Sequence, residues 1–334
     1  MRGFPRARVA SRLLLLATPL AGCAPKLREA PVTQTVQPRG TEQRFTVTKA
    51  ENPPEPRPED AGPTPRAEAP PDRAPDGMLR VPGGTFTMGS DAGGQDDEHP
   101  AHAVTLRAFF LDRTEVTNRA YGACVEAGRC RAPLPGGAAR GHFGSDEAFR
   151  GPDQPVSSIS WEDARDYCAF RGARLPSEAE FERAARGDDG RTYPWGNDPP
   201  TPSRAVFARA RTENVGTHPD GAGPYGHQDL AGNVWEWVED LYDPDAYRRA
   251  GAAHGVPGTC DDILATLASL RRSGRRGYTG SNPIPTECER VLRGGAFNYG
   301  GEGLRTTNRV HHPGRFRLVM SGVRCAADAP QTSE

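Results

Sequence analysis

The sequence has almost no long apolar segment and almost no net charge. The one apolar run, near the N-terminus, is too short to span a bilayer, and no other stretch of the 334 residues is apolar enough to cross one. The formal net charge of −1 gives no reason to expect nucleic acid or an anionic membrane surface as a partner. A Gly-rich phosphate loop, a serine triad and an internal repeat are also missing. These absences argue against a multi-span membrane protein, a P-loop enzyme and a repeat protein.

The N-terminus has the pattern of an export signal. Four arginines and no acidic residue precede an apolar run at 13–17, which is too short to span a bilayer. Leu20-Ala21-Gly22-Cys23 then resembles the bacterial lipobox, whose cysteine thiol receives the lipid. We predict a lipoprotein signal peptide at 1–22 and a membrane anchor on Cys23, with an ordinary signal peptide as the alternative. Ala24 stands where an Asp would favour retention in the inner membrane, so we expect the outer membrane of a bacterial cell envelope.

The segment at 23–77 is rich in Pro, Glu and Arg, as in Glu51-Asn52-Pro53-Pro54-Glu55-Pro56. It has few apolar residues and no period that could bury a face. We therefore predict a disordered, lipid-anchored tether with partial polyproline II character. A Pro-rich ligand for a partner protein is the less favoured alternative.

The segment at 78–328 is long enough for one domain with its own core, and 329–334 is a short tail. With 39 Gly and 33 Pro in the chain, we expect many turns and little regular structure. Two short strands are predicted around the turn Pro82-Gly83-Gly84. A polar stretch at about 249–281 has the composition of an insertion, within a region where turns and short strands are predicted.

Three helices have recognisable starts. Thr117, Ser160 and Ser177 are residues that cap helix N-termini, and the last two have Asp163 and Glu180 at the capping-box spacing. We predict that helices begin directly after these caps.

Six cysteines remain after Cys23, and an even number in an exported chain permits disulfides. Cys124 and Cys130 are separated by a short loop and could bridge locally. Cys260 and Cys288 could close the insertion. Spacing alone leaves other pairings open for these four.

Eight short motifs follow one another along the domain. They are Phe86-Thr87-Met88-Gly89-Ser90, Glu115-Val116-Thr117-Asn118, Pro155-Val156-Ser157 with Ser160-Trp161, Arg174-Leu175-Pro176-Ser177-Glu178-Ala179-Glu180-Phe181-Glu182, Tyr193-Pro194-Trp195-Gly196, Gly232-Asn233-Val234-Trp235-Glu236-Trp237, Arg293-Gly294-Gly295 and Gly322-Val323-Arg324-Cys325-Ala326. Together they resemble the formylglycine-generating-enzyme, or sulfatase-modifying factor, domain family. The resemblance implies an irregular α+β fold of the C-type-lectin type with low regular secondary structure and stabilising disulfides.

The resemblance also implies structural roles. Cys168 and Cys325 fall on positions that are paired in the family, whereas Ala185 stands where the family's other bridge would begin. The four tryptophans of the motifs are expected to anchor the core, with carbohydrate stacking as the minor alternative.

A structural calcium ion is expected at one family position. The resemblance places its ligands at Asp229, Gly232, Val234 and Glu236, which supply two carboxylates and two backbone carbonyls. The alternative is that the two carboxylates only bond loop amides. The family's second calcium site looks degraded, because Val206 replaces its asparagine.

The main departure follows Arg293-Gly294-Gly295. Catalytic members of the family have two cysteines there that bind copper(I), and these positions hold Tyr299 and Leu304. No cysteine occurs between Cys288 and Cys325, so copper is not expected. A relative class uses non-haem iron, but its histidines lie largely on an N-terminal helical domain, and in this chain a disordered tether is predicted there. The four histidines His99, His102, His311 and His312 are interpreted as ordinary surface or loop residues.

Two classes of function fit these observations. The first is a non-catalytic binding or scaffolding module for an envelope protein or glycan. Its candidate ligand-binding residues lie on the C-terminal loop and are Phe297, Asn298, Tyr299, Arg305, Asn308 and Arg309. The second is a diverged oxidase that matures sulfatases, or another metal-dependent oxidase on the same fold.

Overall fold

The computed structural model describes residues 74–134, 146–249, 259–272 and 285–330. The predicted signal peptide, Cys23 and nearly all of the tether and tail therefore lie outside the described residues. Within the described ranges, no helix combines the length and the apolar character that a bilayer span requires.

The strands form three small sheets. Strands β1 (Met78–Val81), β4 (Phe109–Asp112) and β9 (Ala326–Asp328) form an antiparallel sheet in the order β1-β4-β9. Strands β2 (Gly84–Met88) and β3 (His102–Leu106) form an antiparallel pair, in which Phe86 lies opposite Val104. Strands β5 (Trp235–Leu241), β6 (Arg290–Arg293), β7 (Arg309–His312) and β8 (Ser321–Gly322) form the third sheet in the order β7-β6-β5-β8, and β5 and β8 run parallel.

Three helices begin where the sequence predicts. Helices α1 (Asn118–Glu126), α2 (Trp161–Phe170) and α3 (Glu178–Arg186) follow the caps Thr117, Ser160 and Ser177. Each cap side chain accepts a backbone N–H from the first turn, and α2 and α3 have complete capping boxes. These interactions span only three residues, which explains why the sequence alone predicts them.

A fourth helix contradicts the prediction for the insertion. Helix α4 (Cys260–Arg272) occupies its middle, where turns and short strands were predicted. Its buried residues Ile263, Leu267 and Leu270 recur at spacings of four and three, which place them on one helix face. That periodicity is present in the sequence, but the polar, Gly-rich segments on both sides of it favoured the prediction of turns.

The core joins the third sheet to α2. Trp161, Trp235 and Trp237 are buried there, as expected for anchors. The Trp161 indole donates to the Val238 carbonyl at 2.8 Å, and the Trp237 indole donates to the Ile159 carbonyl at 3.1 Å. These two bonds attach the start of α2 to β5 in both directions.

The described residues form three disulfides, Cys124–Cys130, Cys168–Cys325 and Cys260–Cys288. These are the pairs that the resemblance and the spacing suggested. The second joins α2 to the C-terminal segment across 157 residues. Closing so long a loop contributes roughly 4–5 kcal/mol in the chain-entropy account.

Candidate functional site

The candidate site is the loop that follows β6. It begins with Gly294 and Gly295, whose φ angles are +96° and +84°. A Cβ on Gly295 would lie 2.8 Å from the Gly303 carbonyl oxygen, so the turn requires glycine for both conformation and space. After this turn the chain places Tyr299 and Leu304 against core side chains.

Both residues at the family's cysteine positions pack against other side chains. The Tyr299 ring meets Trp235 edge to face, with ring centroids 5.2 Å apart, and burial raises the pKa of its phenol. Leu304 is 1% exposed and packs with Ala205 and Ala231. All six cysteines of the domain are in disulfides, so the region offers no thiolate to a soft metal ion.

Three of the six predicted ligand-binding residues are buried by the protein itself. Phe297 is inaccessible and packs on Phe149 with ring centroids 5.4 Å apart. Asn308 donates to the Gly303 carbonyl at 3.0 Å, and Arg309 is 1% exposed. The prediction that these three contact a ligand is corrected, because their polar or apolar groups already have intramolecular partners.

The other three candidates remain partly exposed. Asn298 and Tyr299 are of intermediate exposure. Arg305 binds the buried Glu98 carboxylate through both terminal nitrogens, at 2.5 and 2.7 Å. Their role in ligand binding stays a prediction.

Arg309 belongs to a buried set of ion pairs on α3, which we call the α3 network. Its members are Glu178, Glu182, Arg186, Arg293 and Arg309. Arg293 joins the two carboxylates, at 3.1 Å to Glu178 and 2.6 Å to Glu182. Arg309 adds a second bond to Glu178 at 2.7 Å, and Arg186 adds one to Glu182 at 3.2 Å. Burial alone would raise the pKa of Glu178, but Arg309 and Arg293 lower it below the ordinary value.

A second buried set, which we call the acidic cluster, has too few cations for its carboxylates. Its members are Asp112, Glu115, Asp229 and Glu236, with Arg171 and Arg324. Arg324 holds Glu236 at 2.6 and 2.8 Å, and Arg171 holds Asp112 at 2.7 Å. If all four carboxylates are ionised, two negative charges are in excess.

The raised pKa values in the acidic cluster have burial as their largest cause. Burial and the charges of Asp229 and Glu236 raise the pKa of Glu115 well above its ordinary value. Burial also raises the pKa of Asp229 and, against the attraction of Arg324, the pKa of Glu236. Carboxylates with these shifts would gain from a divalent cation.

The predicted calcium ligands lie in this cluster. Asp229 and Glu236 are 7% and 1% exposed and flank the backbone carbonyls of Gly232 and Val234. Within the described ranges, no three His, Cys, Asp or Glu side chains could hold a metal ion by themselves. A calcium site here would therefore also need the two carbonyls, because Arg324 already holds both oxygens of Glu236 and Asp229 accepts the Gly216 amide at 2.6 Å.

The interpretation of the four histidines as surface or loop residues was wrong for His311, which is buried on β7, and His102 and His312 also lie on strands. The His102 and Tyr247 rings meet at 52° with centroids 4.7 Å apart, and His312 lies near Phe316. The Nδ1 of His311 lies 2.5 Å from Glu289, and its ring stacks on Tyr242. His99 is only partly buried.

Comparison with known proteins identifies the family. Residues 64–329 match the model of the sulfatase-modifying factor enzyme 1-like domain, and the chain belongs to that family. It is 37% identical over 259 residues to the formylglycine-generating enzyme of Streptomyces coelicolor, covering 60% of this chain and 82% of that protein. It is 34% identical over 215 residues to the inactive C-alpha-formylglycine-generating enzyme 2 of Mus musculus, covering 50% and 70%.

Another relative has a name that describes a different activity. The hercynine oxygenase of Mycolicibacterium thermoresistibile is 33% identical over 276 residues, covering 73% of this chain but only 57% of that protein. Among solved structures, PvdO from Pseudomonas aeruginosa superposes with a TM-score of 0.55 and 24% identity, covering 75% of this chain and 94% of that one. This likeness supports the predicted fold.

Three residues in or beside the acidic cluster have no functional role predicted from the sequence. Glu115, Asn233 and Arg324 all stand in the quoted motifs. Their signal was a polar side chain among apolar neighbours, as in Gly322-Val323-Arg324-Cys325-Ala326. Their partners lie about 90–120 residues away, which explains why the motifs alone did not reveal them.

Proposed function

We propose that this chain is an envelope lipoprotein whose domain is a non-catalytic binding or scaffolding module for a protein or glycan. The observation that carries the proposal is the packing of Tyr299 and Leu304 at the positions of the family's copper-binding thiols. Leu304 has no metal-binding group, and the domain's six cysteines are in disulfides. The mouse relative whose name describes it as inactive indicates that the family contains such members.

The second candidate is an oxidase of another mechanism. The name of the hercynine oxygenase relative favours it, since that name describes an oxygenase that is similar to this domain. In this chain Tyr299 and the histidines would be the first ligands to examine.

A chemical assay separates the two candidates. The mature chain, with Cys23→Ser to omit the lipid, is incubated with copper, dioxygen and a Cys-x-Pro-x-Arg peptide. We expect no formylglycine by mass spectrometry. The double variant Tyr299→Cys/Leu304→Cys is the matched comparison, because it returns thiols to the family positions. Copper-dependent conversion by the parent chain would contradict the proposal, and bound iron with oxygen consumption would favour the second candidate.

A crosslinking experiment tests the binding role. A photoreactive phenylalanine replaces Tyr299 in the cell, and Phe170, an exposed aromatic residue on α2, is replaced as the matched control. A module that binds through the C-terminal loop should give a defined adduct from position 299 and none from position 170. Equal, diffuse labelling from both positions would count against binding at this loop.

The anchor is tested separately. An alkyne-tagged fatty acid fed to cells should label the parent chain and not the Cys23→Ser variant. Density-gradient separation of labelled membranes should place the protein with the outer membrane. Labelling that persists in the variant would reject the lipid site.

Calcium is proposed as a structural ion at Asp229, Gly232, Val234 and Glu236. It would supply positive charge to the acidic cluster and hold the loop between these residues. Metal analysis of the purified chain should find calcium, and Asp229→Asn should reduce it. An unchanged metal content in that variant would reject the assigned ligands.

A further inference from the structure

A pocket of about 650 Å³ opens on the surface of the domain. Its volume lies within the roughly 300–1,000 Å³ that is common for sites of small ligands. The residues that line it are Asp198, Pro199, Thr201, Ser203, Arg204 and Asp220. They come from two segments, which are 198–204 and the short 3-10 helix Pro219–Gly221.

Backbone contacts fix the shape of this pocket. The Arg204 amide donates to the Thr201 carbonyl at 3.0 Å. In the same turn, the hydroxyl oxygens of Thr201 and Ser203 lie 3.0 Å apart. Gly221 lies directly on the backbone of Arg204, because a Cβ at this position would be 1.8 Å from the Arg204 carbonyl oxygen. This close approach requires glycine, and it brings Asp220 to the side of the pocket that Arg204 lines.

The charges in the pocket have both signs. The Arg204 guanidinium donates to the Asp198 carboxylate at 2.9 Å and to the Pro199 carbonyl at 3.4 Å. These bonds use one oxygen of Asp198 and two N–H groups of Arg204, so acceptors and donors remain for a ligand. Asp220 adds an exposed carboxylate. Because the carboxylates repel an anion and the guanidinium repels a simple cation, the pocket suits a neutral ligand whose hydroxyl groups both donate and accept.

Apolar surface lies beside these polar groups. Pro199 lines the pocket, and the partly exposed Trp195 donates its indole N–H to the Asp198 carbonyl at 3.0 Å. The Trp195 ring is stacked on Tyr193, with centroids 5.1 Å apart and an angle of 6° between the planes. A sugar ring has an apolar C–H face next to its hydroxyl groups, so it matches surroundings in which proline and aromatic rings border charged groups.

The pocket adjoins the C-terminal loop. A Cβ on Gly301 would lie 3.2 Å from the Pro200 ring, which follows Pro199 of the pocket. Further along the same segment, the Ala208 amide donates to the Tyr299 carbonyl at 2.9 Å. The segment therefore lines the pocket at one end and binds the loop of the candidate site at the other.

We propose that the pocket formed by residues 198–204 and Asp220 binds a neutral saccharide of one or two rings. Vicinal hydroxyl groups of the sugar bridge the Asp198–Arg204 pair and Asp220, and Pro199 meets its apolar face. Recognition of this kind needs no metal ion. The inference rests on the binding role of the proposed function and narrows its ligand to a glycan.

An NMR titration of the mature chain with Cys23→Ser tests the inference, in the presence of EDTA. The probes are glucose, galactose, mannose and N-acetylglucosamine, followed by cellobiose, lactose and N,N′-diacetylchitobiose. We expect at least one of them to shift the Trp195 indole N–H and the Ser203 and Arg204 amides in a saturable way, with a Kd on the order of 1 mM for a single ring. Internal references are the core indoles of Trp161, Trp235 and Trp237, which should not move. No saturable shift of the pocket signals with any of these sugars would overturn the inference.

Charged probes test the argument from charge. Glucuronate has the glucose ring with an added carboxylate, and we expect it to bind more weakly than glucose because two carboxylates line the pocket. Spermidine has cations and no hydroxyl groups. Tighter binding of spermidine than of every neutral sugar would show a simple cation site and overturn the inference.

A variant locates the binding. Asp220→Ala removes one carboxylate and leaves the Asp198–Arg204 pair in place. We expect the affinity for the sugar to fall about tenfold or more, since a hydrogen bond to a charged group contributes that much. Asp261→Ala, at an exposed aspartate on α4, is the matched control and should leave the affinity unchanged. Equal affinity in the parent chain and in Asp220→Ala would reject the assigned pocket.

The saccharide site and the proposed function can fail separately. If no sugar binds but position 299 crosslinks a protein, the saccharide site is rejected and the module stands with a protein as its ligand. If a sugar binds in the pocket and the chain also produces formylglycine, the saccharide site stands and the non-catalytic role is rejected.

Discussion

The α3 network and the acidic cluster are both buried, yet their charges are arranged in opposite ways. In the α3 network, Glu178 and Glu182 each meet two guanidiniums. In the acidic cluster there are two guanidiniums for four carboxylates, because Arg324 pairs with Glu236 and Arg171 pairs with Asp112. Glu115 has amide donors in place of a guanidinium. The pKa values follow this difference, because that of Glu178 is lowered while those of Glu115, Asp229 and Glu236 are raised. One cluster has a guanidinium for each of its carboxylates, and the other is the place where calcium is proposed.

The largest expected effect comes from breaking the α3 network. Arg309→Met leaves Glu178 buried with one guanidinium, and loss of one partner of a buried pair costs about 3–5 kcal/mol. Urea unfolding with the disulfides intact should show this loss in the free energy of unfolding. Arg315→Met, which removes an exposed pair with Glu287, should have a much smaller effect, because solvent screens that pair. A similar small cost at both positions would remove the distinction between the network and a surface pair.

The next largest effect is a pH dependence of the unfolding free energy, which arises from Asp240 beside the α3 network. Burial and the charge of Glu178 raise the pKa of Asp240 to about 7. Between the ordinary Asp value of about 4 and pH 7, the unfolded chain loses this proton while the folded chain retains it. Stability should therefore fall as pH rises through this range, by up to about 4 kcal/mol, and level off above pH 7.

Asp240→Asn isolates that contribution. Its amide oxygen can still accept the Glu178 backbone N–H, which Asp240 binds at 2.7 Å. The variant should lose the fall in unfolding free energy between pH 4 and 7 relative to the parent. Parallel pH curves for the two proteins would show that Asp240 does not titrate in this way.

Calcium should stabilise the protein through the acidic cluster and not through the α3 network, with a smaller effect than the two above. At a free concentration one hundred times its Kd, a ligand bound only by the folded state adds about 2.7 kcal/mol of stability. The calcium-dependent rise in Tm should disappear in Asp229→Asn and persist in Arg309→Met. If Arg309→Met also abolishes it, the two clusters form one coupled unit and the comparison fails.

Much of the fold could be predicted from the sequence. The caps Thr117, Ser160 and Ser177 bond amides three residues away, so local sequence contains both partners. The motifs predicted the family and the fold, and the comparisons and the structure confirm both. The overlooked helix α4 had its apolar spacing in the sequence, so that error lay in the interpretation of the pattern.

The candidate site was less predictable. Phe297, Asn308 and Arg309 belong to residue types that recognise ligands when they are exposed, and sequence does not show exposure on an irregular loop. Arg309 lies 131 residues from Glu178, and Arg305 lies 207 residues from Glu98. Only the fold decides whether such distant charges meet.

The sequence by itself determined that no cysteine stands between Cys288 and Cys325, because an absent residue type cannot be restored by folding. It also determined the helix starts and the motif order, since these depend on neighbours along the chain. The tertiary structure decided what took the place of the thiols, with Tyr299 packed against Trp235 and Leu304 buried. It also decided which buried charges are compensated, because burial and pairing arise from residues that meet only when the whole chain folds.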